Sequence, residues 1–564
     1  MTSSTSPDKE PEGAANAPVS KPGRQAFGRL QAHVIFIFIA SLVTFLPGLH
    51  AYGIIDPSDG LYAEAAREML ERSDIVTPSS NYQPFFEKPI LIYWMILASY
   101  KILGVHEVSA RLPEALCGAL CAVALLLFVR PFLGARAALF AALALLSTPL
   151  FVAVGRIAVT DVPLTLFMML AALGLFSRLQ GAHWISIAIA YIVLGLALLL
   201  KGPVPVVLIV FLLLLYMLLI CPKGVQDRYR WWWQKLSLLH PLLGSAVILS
   251  IAAPWYIVEG ITTKGEFYQE FFIRQNWGRA LGTVNHQNEF WFYAPVYLGG
   301  FFPWSILTLV DVRRYFALLK NRRLLTRRSH LEFFSLLWLL LILAIFSVLK
   351  AKLSTFILPA APALAILSGS MLDRAIRFNK SRQIGWILLL VTLVMLPALL
   401  ACVCANSEKI GLDTNSLCAF GCFGIFVWFF LIFAARAAFK KQTETAITAV
   451  ACACAFACAT FVPTGLQSYY VSAHYPLIFL LKRIVRDHAQ VALYQRDSPA
   501  VTFYLRRPIK EIKTHLDYKH YVESGQKPHY LLVTTDIIKQ MKDIPSLWVL
   551  LERRGKWHLF KIDP

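Results

Sequence analysis

Asp56, Glu87, Lys88, Asp161, Lys201 and Lys352 are ionisable residues set at the ends of apolar runs or between aromatic residues. Charge placed at membrane depth is costly, and each such residue is by default a candidate for binding or moving something charged. Asp56 opens the stretch Asp56-Pro57-Ser58-Asp59-Gly60-Leu61-Tyr62, directly after the first long apolar run. A carboxylate there can accept a proton from an acceptor hydroxyl or orient the acceptor. It can equally cap the helix that follows, with Pro57 at the first helical position and Asp59 in the first turn, and spacing alone leaves both readings open. Glu87 and Lys88 stand in Phe85-Phe86-Glu87-Lys88-Pro89, either as an exposed ion pair in an aromatic belt or as charged site residues. Arg156 and Asp161 fall between the third and fourth apolar runs. Lys201 interrupts the stretch at Lys201-Gly202-Pro203, and Lys350 and Lys352 mark the turn between the ninth and tenth runs. Carboxylates and cations gathered at one membrane surface suit a phosphate-bearing lipid substrate.

The elements that must position these groups are membrane spans. Of the 564 residues, 57% are apolar and only 15% charged, well below the charge of an ordinary soluble chain. The formal charge of +21 would suggest nucleic acid in a soluble protein. Here the basic residues lie in short tracts between apolar runs, so the positive-inside rule accounts for them and nucleic acid is dropped as a partner. Each span needs about twenty apolar residues. Runs at roughly 32–51, 110–129, 137–154, 162–177, 184–200, 203–221, 243–258, 291–310, 333–349, 355–372, 384–404, 417–435 and 445–464 predict a polytopic α-helical membrane protein of about thirteen transmembrane helices. The dense basic tracts, above all Arg313 to Arg328, follow even-numbered runs. That side, with residues 1–30 as a disordered tail, is expected to be cytoplasmic.

Between 31 and 465 the chain reads as one membrane domain, with outer loops at 51–109 and 259–290. In the first loop Leu61, Tyr62, Ala65, Ala66 and Met69 share one helical face. Glu64, Arg67, Glu68 and Glu71 mostly occupy the other, which suits a helix lying on the membrane surface. From 466 to 564 the composition turns ordinary, and strand-like runs at Val491–Tyr494, Val501–Tyr504, Tyr530–Val533 and Leu547–Leu551 predict a small extracytoplasmic α/β domain. The ten cysteines lie in or beside apolar runs, with no zinc-like spacing, and read as small packing residues.

With these residues in view, the chain resembles the lipid A aminoarabinose transferases. These belong to the GT-C superfamily of glycosyltransferases that use polyprenyl-phosphate sugars, with protein O-mannosyltransferases as more distant relatives. The resemblance rests on Asp56, the Tyr62–Met69 helix, Phe86-Glu87-Lys88-Pro89, Arg111-Leu112-Pro113, Asp161 and the stretch Lys352 to Pro359. It implies the GT-C fold, Asp56 and Asp161 as catalytic carboxylates, and Lys88, Arg279 and Tyr62 at the donor phosphate. It further implies Glu87, Lys201, Asn276 and Lys352 around the substrate. Asn276-Trp277-Gly278-Arg279, His286 and Pro303-Trp304 resemble the family's pattern in the second loop; the family usually has a tyrosine where this chain has Phe356.

The reaction so implied moves a sugar from a polyprenyl phosphate to a lipid A-like, glycan or protein acceptor at the periplasmic face of a bacterial inner membrane. Lys88 and Arg279 are suited to the charge developing on the departing phosphate. Glu87 and His286 are candidates for a divalent metal ion, although no local spacing demands one. The competing class is a polytopic transporter or lipid flippase, which predicts inverted repeats and charges near midspan. No convincing internal repeat is present, and the charges cluster at one surface.

Overall fold

The computed structural model describes residues 24–222, 224–278, 289–322, 325–378, 385–386, 414–442, 445–446, 448–450, 490–495, 498–523, 529–541, 545, 547–554 and 557–562. Among the described residues, six helices are long and apolar enough to cross a bilayer, or seven if one bent pair counts as a span. The first elements are α1 (Arg24–Phe45), α2 (Ser58–Arg72), α3 (Leu91–Leu103), α4 (Glu107–Leu133), α5 (Ala135–Leu146) and α6 (Pro149–Val154). They are followed by α7 (Asp161–Leu179), α8 (Ile185–Lys201), α9 (Val204–Ile220), α10 (Val225–Leu239) and α11 (Pro241–Thr262). The chain is a polytopic helical membrane protein. Its spans are apolar nearly all round because one side meets protein and the other lipid, and helix formation satisfies the backbone without water.

The expected runs map onto these helices with two instructive departures. The run 137–154 divides into α5 and α6, because Pro149 lacks the N–H a continuing helix needs and disfavours helical backbone in the residue before it. The run 291–310 becomes Phe290–Gly300 and Trp304–Val310, bent by 108°. This pair still connects the two ends of the helical body. The Tyr293 hydroxyl donates to the Leu353 carbonyl at 3.1 Å, while Asp311 pairs with Arg374. Leu353 and Arg374 lie at opposite ends of the segment Ser354–Arg377. The run 417–435 falls within the helix Thr414–Phe439. The runs 384–404 and 445–464 lie almost wholly outside the described residues.

Close approach holds the body together. At Gly369 an added Cβ would lie 2.5 Å from the Ala137 carbonyl oxygen, so the helix Ala361–Arg377 and α5 touch backbone to backbone. At the Arg374 end, carboxylates on two helices collect several guanidiniums each. Glu332 accepts from Arg314 at 2.8 Å and from Arg328 at 3.3 Å, and also from Arg374 and the Ser370 hydroxyl. Asp373 pairs with Arg136, Arg328 and Arg377, each at 2.8 Å.

Beyond the opposite end lie α2, a small hairpin of β1 (Ser79–Ser80) and β2 (Gln83–Pro84), and α3. Here the surface-helix expectation is corrected. The polar face of α2 is buried, with Glu64, Arg67 and Glu68 at most 4% exposed, because the hairpin folds over it. Arg67 forks onto Glu64 at 2.7 and 2.8 Å, and Glu68 accepts from the Ser79 hydroxyl at 2.7 Å and the Tyr82 N–H at 2.9 Å. A polar face that supplies its own partners can be buried.

The carboxyl-terminal region forms a five-stranded sheet in the order β4-β3-β5-β7-β6: β3 (Gln490–Tyr494), β4 (Lys510–Ile512), β5 (His529–Thr534), β6 (Trp548–Arg554) and β7 (Trp557–Ile562). The pairs β3–β4 and β3–β5 are parallel, and β5–β7 and β6–β7 are antiparallel. Of the expected strands, Val501–Tyr504 is instead part of the helix Pro499–Leu505. Pro499 starts it, and burial of Ala500, Val501 and Phe503 on one side outweighs the strand preference of Val and Phe. This helix packs on α2. The Tyr504 hydroxyl donates to Glu107 at 2.7 Å and accepts from the Ile54 N–H at 2.9 Å. Asn81 and the Ile509 backbone exchange two hydrogen bonds, at 2.7 and 2.8 Å.

Candidate active site

The framework of the site is an ion pair that sequence reading left as a helix-start residue. Asp59, 1% exposed, receives the Arg111 guanidinium at 2.5 Å. It also accepts the N–H groups of Ile55 at 3.0 Å and Ala158 at 2.7 Å. Arg111 donates in addition to the carbonyls of Leu49, Tyr52 and Gly53, and lies over the Tyr52 ring at 4.0 Å. Tyr52 in turn donates its hydroxyl to the Arg156 carbonyl at 2.6 Å, and burial pushes that phenol above its ordinary range. A buried pair with this many additional hydrogen bonds fixes geometry. It ties the first outer loop to the turn that leads into α7. The signal that could have found it is Arg111 itself, a guanidinium inside an apolar helix that must be paired.

That turn delivers Asp161. It is the first residue of α7, where a carboxylate suits the helix dipole, and it is only 7% exposed. Lys201, the last residue of α8, reaches it at 2.6 Å. The same ammonium stands 5.3 Å from the centre of the Phe356 ring, which brings in the turn before the helix Ala361–Arg377. Lys352, 3% exposed, donates to the Leu349 carbonyl at 2.6 Å in that turn. Asp161, Lys201 and the Lys352–Phe356 turn, separated in sequence by up to about two hundred residues, thus converge.

Glu87 and Lys88 lie where β2 leads to α3. Lys88 is 8% exposed, with its ammonium 3.1 Å from the Glu87 carbonyl and 3.4 Å from its carboxylate. Phe86 meets Phe267 edge-on at 5.9 Å, so aromatic packing holds this strand end against the second outer loop. A cavity of about 470 Å³ opens between them, lined among others by Phe86, Glu87, Glu266, Glu270 and Arg274. Tyr62 is buried with its ring 5.9 Å from that of Tyr93. Asn276 belongs to the π-helix Gln269–Gly278. Arg279 and His286 lie outside the described residues. Among the described residues, no three His, Cys, Asp or Glu side chains gather into a metal-holding group, and Glu87 is engaged with Lys88.

Asp56 precedes Pro57, the residue at the amino-terminal cap of α2, where no side-chain cap hydrogen bond is made. Its carboxylate accepts the Ala500 N–H at 2.8 Å through one oxygen and the Ser498 hydroxyl through the other. Both donors come from the carboxyl-terminal region, a partnership no local pattern announces. Nearby on α2, burial pushes the Glu64 carboxyl up to about 7 in spite of the Arg67 fork.

Three comparisons bear on this arrangement. Residues 87–257 match the family model described as dolichyl-phosphate-mannose-protein mannosyltransferase. An undecaprenyl phosphate-alpha-4-amino-4-deoxy-L-arabinose arabinosyl transferase from Pectobacterium atrosepticum is 26% identical over 533 residues, covering 89% of this chain and 90% of that protein. The protein of the same description from Pectobacterium carotovorum is 30% identical over 370 residues, and there the match spans 62% of each chain. The crystal structure of ArnT from Cupriavidus metallidurans bound to undecaprenyl phosphate superposes with a TM-score of 0.76 at 22% identity, over 94% of this chain and 98% of that one, which establishes a shared fold. These findings agree on a class, polytopic membrane glycosyltransferases of the GT-C type. Within it the chain is similar to the aminoarabinose transferases named above.

Proposed function

We propose that the chain transfers a sugar from a polyprenyl phosphate to an acceptor oxygen at the outer face of the inner membrane. In this reading it has about thirteen spans, a cytoplasmic amino terminus and a periplasmic α/β domain. The observation that carries the reading is a pair of ammonium groups held at least nine-tenths buried, Lys88 and Lys352, at the end of the body that also holds the Asp161–Lys201 pair. Cations kept in a water-poor setting suit a phosphate whose charge grows as the sugar leaves. Undecaprenyl phosphate, bound by the Cupriavidus protein, has the chemistry this placement accommodates. The acceptor is a lipid A-like molecule, a glycan or a protein, the first being the class that the resemblance to the aminoarabinose transferases implies.

The acceptor oxygen bonds to the anomeric carbon as the bond from that carbon to the phosphate oxygen breaks. The electron pair leaves with the prenyl phosphate, and a hydroxyl acceptor's proton passes to Asp56. Asp161, oriented by Lys201, holds the sugar or the acceptor in line. Lys88, Arg279 and Tyr62 contact the donor phosphate, the two cations neutralising its charge as it departs, while Glu87, Asn276 and Lys352 line the approach. The transporter alternative finds no support among the relatives.

The test is retention of prenyl phosphate and sugar transfer by purified variants at matched folding. Lys88→Ala is expected to lower both, with partial recovery in Lys88→Arg, because Arg keeps the charge and changes its geometry. Asp56→Asn is expected to keep donor binding and lose roughly 10²-fold in transfer. Unchanged retention in Lys88→Ala removes the phosphate contact. Transfer at the wild-type rate in Asp56→Asn removes the carboxylate from the chemistry.

A further inference from the structure

The carboxyl-terminal α/β region reaches a proposed catalytic carboxylate. Asp56 presents its two oxygens to different donors, the Ser498 hydroxyl and the Ala500 N–H at 2.8 Å. The approach is close all round. A Cβ on Gly60 would stand 2.6 Å from the Asp56 oxygen and 2.9 Å from the Ala500 nitrogen, so only glycine leaves room for the contact.

The region does not depend on Asp56 for its seat. Tyr504 bridges Glu107 and the Ile54 N–H, Asn81 and Ile509 exchange a pair of hydrogen bonds, and Ala500 and Phe503 are buried in the same core as α2. An interface fastened at these separate points stays closed when one hydroxyl is deleted. The Ser498–Asp56 contact therefore adds little to docking that the other contacts do not already provide. What it does determine is the direction of the Asp56 carboxylate. Two donors on two oxygens fix its plane.

We infer that Ser498 and the Ala500 N–H are positioning groups for Asp56, so that the carboxyl-terminal region completes the catalytic centre rather than merely covering it. This rests on the role given to Asp56 in the proposed function. The converse arrangement, in which the region blocks Asp56 and must lift away, predicts the opposite sign of effect.

The experiment compares Ser498→Ala, Ser498→Thr, Gly60→Ala and Asp56→Asn in the full-length enzyme, with undecaprenyl-phosphate-linked sugar as donor. Ser498→Ala is expected to lower kcat about 10-fold, the value of one hydrogen bond to a charged group, at unchanged KM for the donor and near-unchanged thermal midpoint. Ser498→Thr restores most of kcat, a rescue that a purely structural role would not give. Gly60→Ala, which drives a methyl group into the contact, lowers kcat at least as far and serves if Ser498→Ala fails to fold. Unchanged kcat in Ser498→Ala overturns the inference, and so does a rise in kcat, which would make the contact inhibitory. If Asp56→Asn abolishes transfer while Ser498→Ala is silent, only this inference falls. If Asp56→Asn transfers normally, the proposed role of Asp56 falls first.

Discussion

The two ends of the helical body treat charge differently. At the Arg374 end the cations are arginines, and each carboxylate serves several of them: Glu332 takes Arg314, Arg328 and Arg374, and Asp373 takes Arg136, Arg328 and Arg377. Among the described residues of the Lys352 end, three lysines, Lys88, Lys201 and Lys352, stand at the candidate site, while Arg111 is committed to Asp59 and to loop carbonyls. Guanidinium forks staple helices because their donors are fixed in a plane. An ammonium on a flexible stem can follow a charge that moves. The same formal ingredients thus make a clamp at one end and a site at the other.

The sharpest way to break that contrast is Glu332→Ala. It leaves several clustered guanidiniums without their shared carboxylate, so the cost is about 3–5 kcal/mol of stability, read as a large drop in the thermal midpoint in detergent. Transfer per folded molecule stays at the wild-type level; a selective loss of transfer would put chemistry at the wrong end. Next, Lys201→Met keeps the packing on Phe356 and removes the charge beside Asp161. It is expected to cut transfer roughly 10²-fold with only a small change in midpoint. A variant that unfolds but, where folded, transfers normally would make this pair another clamp.

A smaller effect follows from Glu64, whose carboxyl is held at about 7 by burial in the folded chain. Its folded value lies above its unfolded one. The folded state therefore keeps a proton that the unfolded chain releases, and the associated stability is full at acid pH and lost as pH rises towards and through 7. The unfolding free energy is expected to fall by on the order of 2 kcal/mol between about pH 5 and pH 8, and the thermal midpoint to fall with it. Glu64→Gln, which mimics the protonated form, flattens that slope; an equal slope in the variant would assign it elsewhere. Smallest of all, Arg377→Gln removes an arm of the clamp that is more than half exposed. It should change stability by less than about 0.5 kcal/mol, measured by the same melts.

These contrasts were unequally visible in the amino-acid sequence. The helices were legible because long apolar runs have few alternatives in a bilayer, and Asp161, Lys201 and Lys352 because charge interrupts those runs. The convergence of Lys201 on Asp161 follows from consecutive antiparallel helices, whose ends must meet. Asp59 was passed over because a carboxylate in a first helical turn already has a local explanation. Its true partner, Arg111, stands about fifty residues away. The polar face of α2 was misplaced because amphipathic periodicity is the same whether that face meets water or a folded hairpin. Val501–Tyr504 looked like a strand because four residues carry too little periodicity to outvote β-branched and aromatic side chains. Ser498 could not be found at all: its meaning depends on Asp56, 442 positions earlier.

That last separation has a consequence for how the protein is made. A ribosome delivers Asp56 with the first helix and Asn81 with the first loop, long before it reaches Ser498, Ala500 and Ile509. Throughout that interval the membrane body can insert and pack, but the carboxylate lacks the Ser498 and Ala500 donors, and Asn81 lacks the Ile509 backbone with which it exchanges bonds. On the roles proposed for Asp56 and Ser498, a chain lacking the carboxyl-terminal region inserts but does not complete its catalytic centre, so the last-made segment sets when transfer begins.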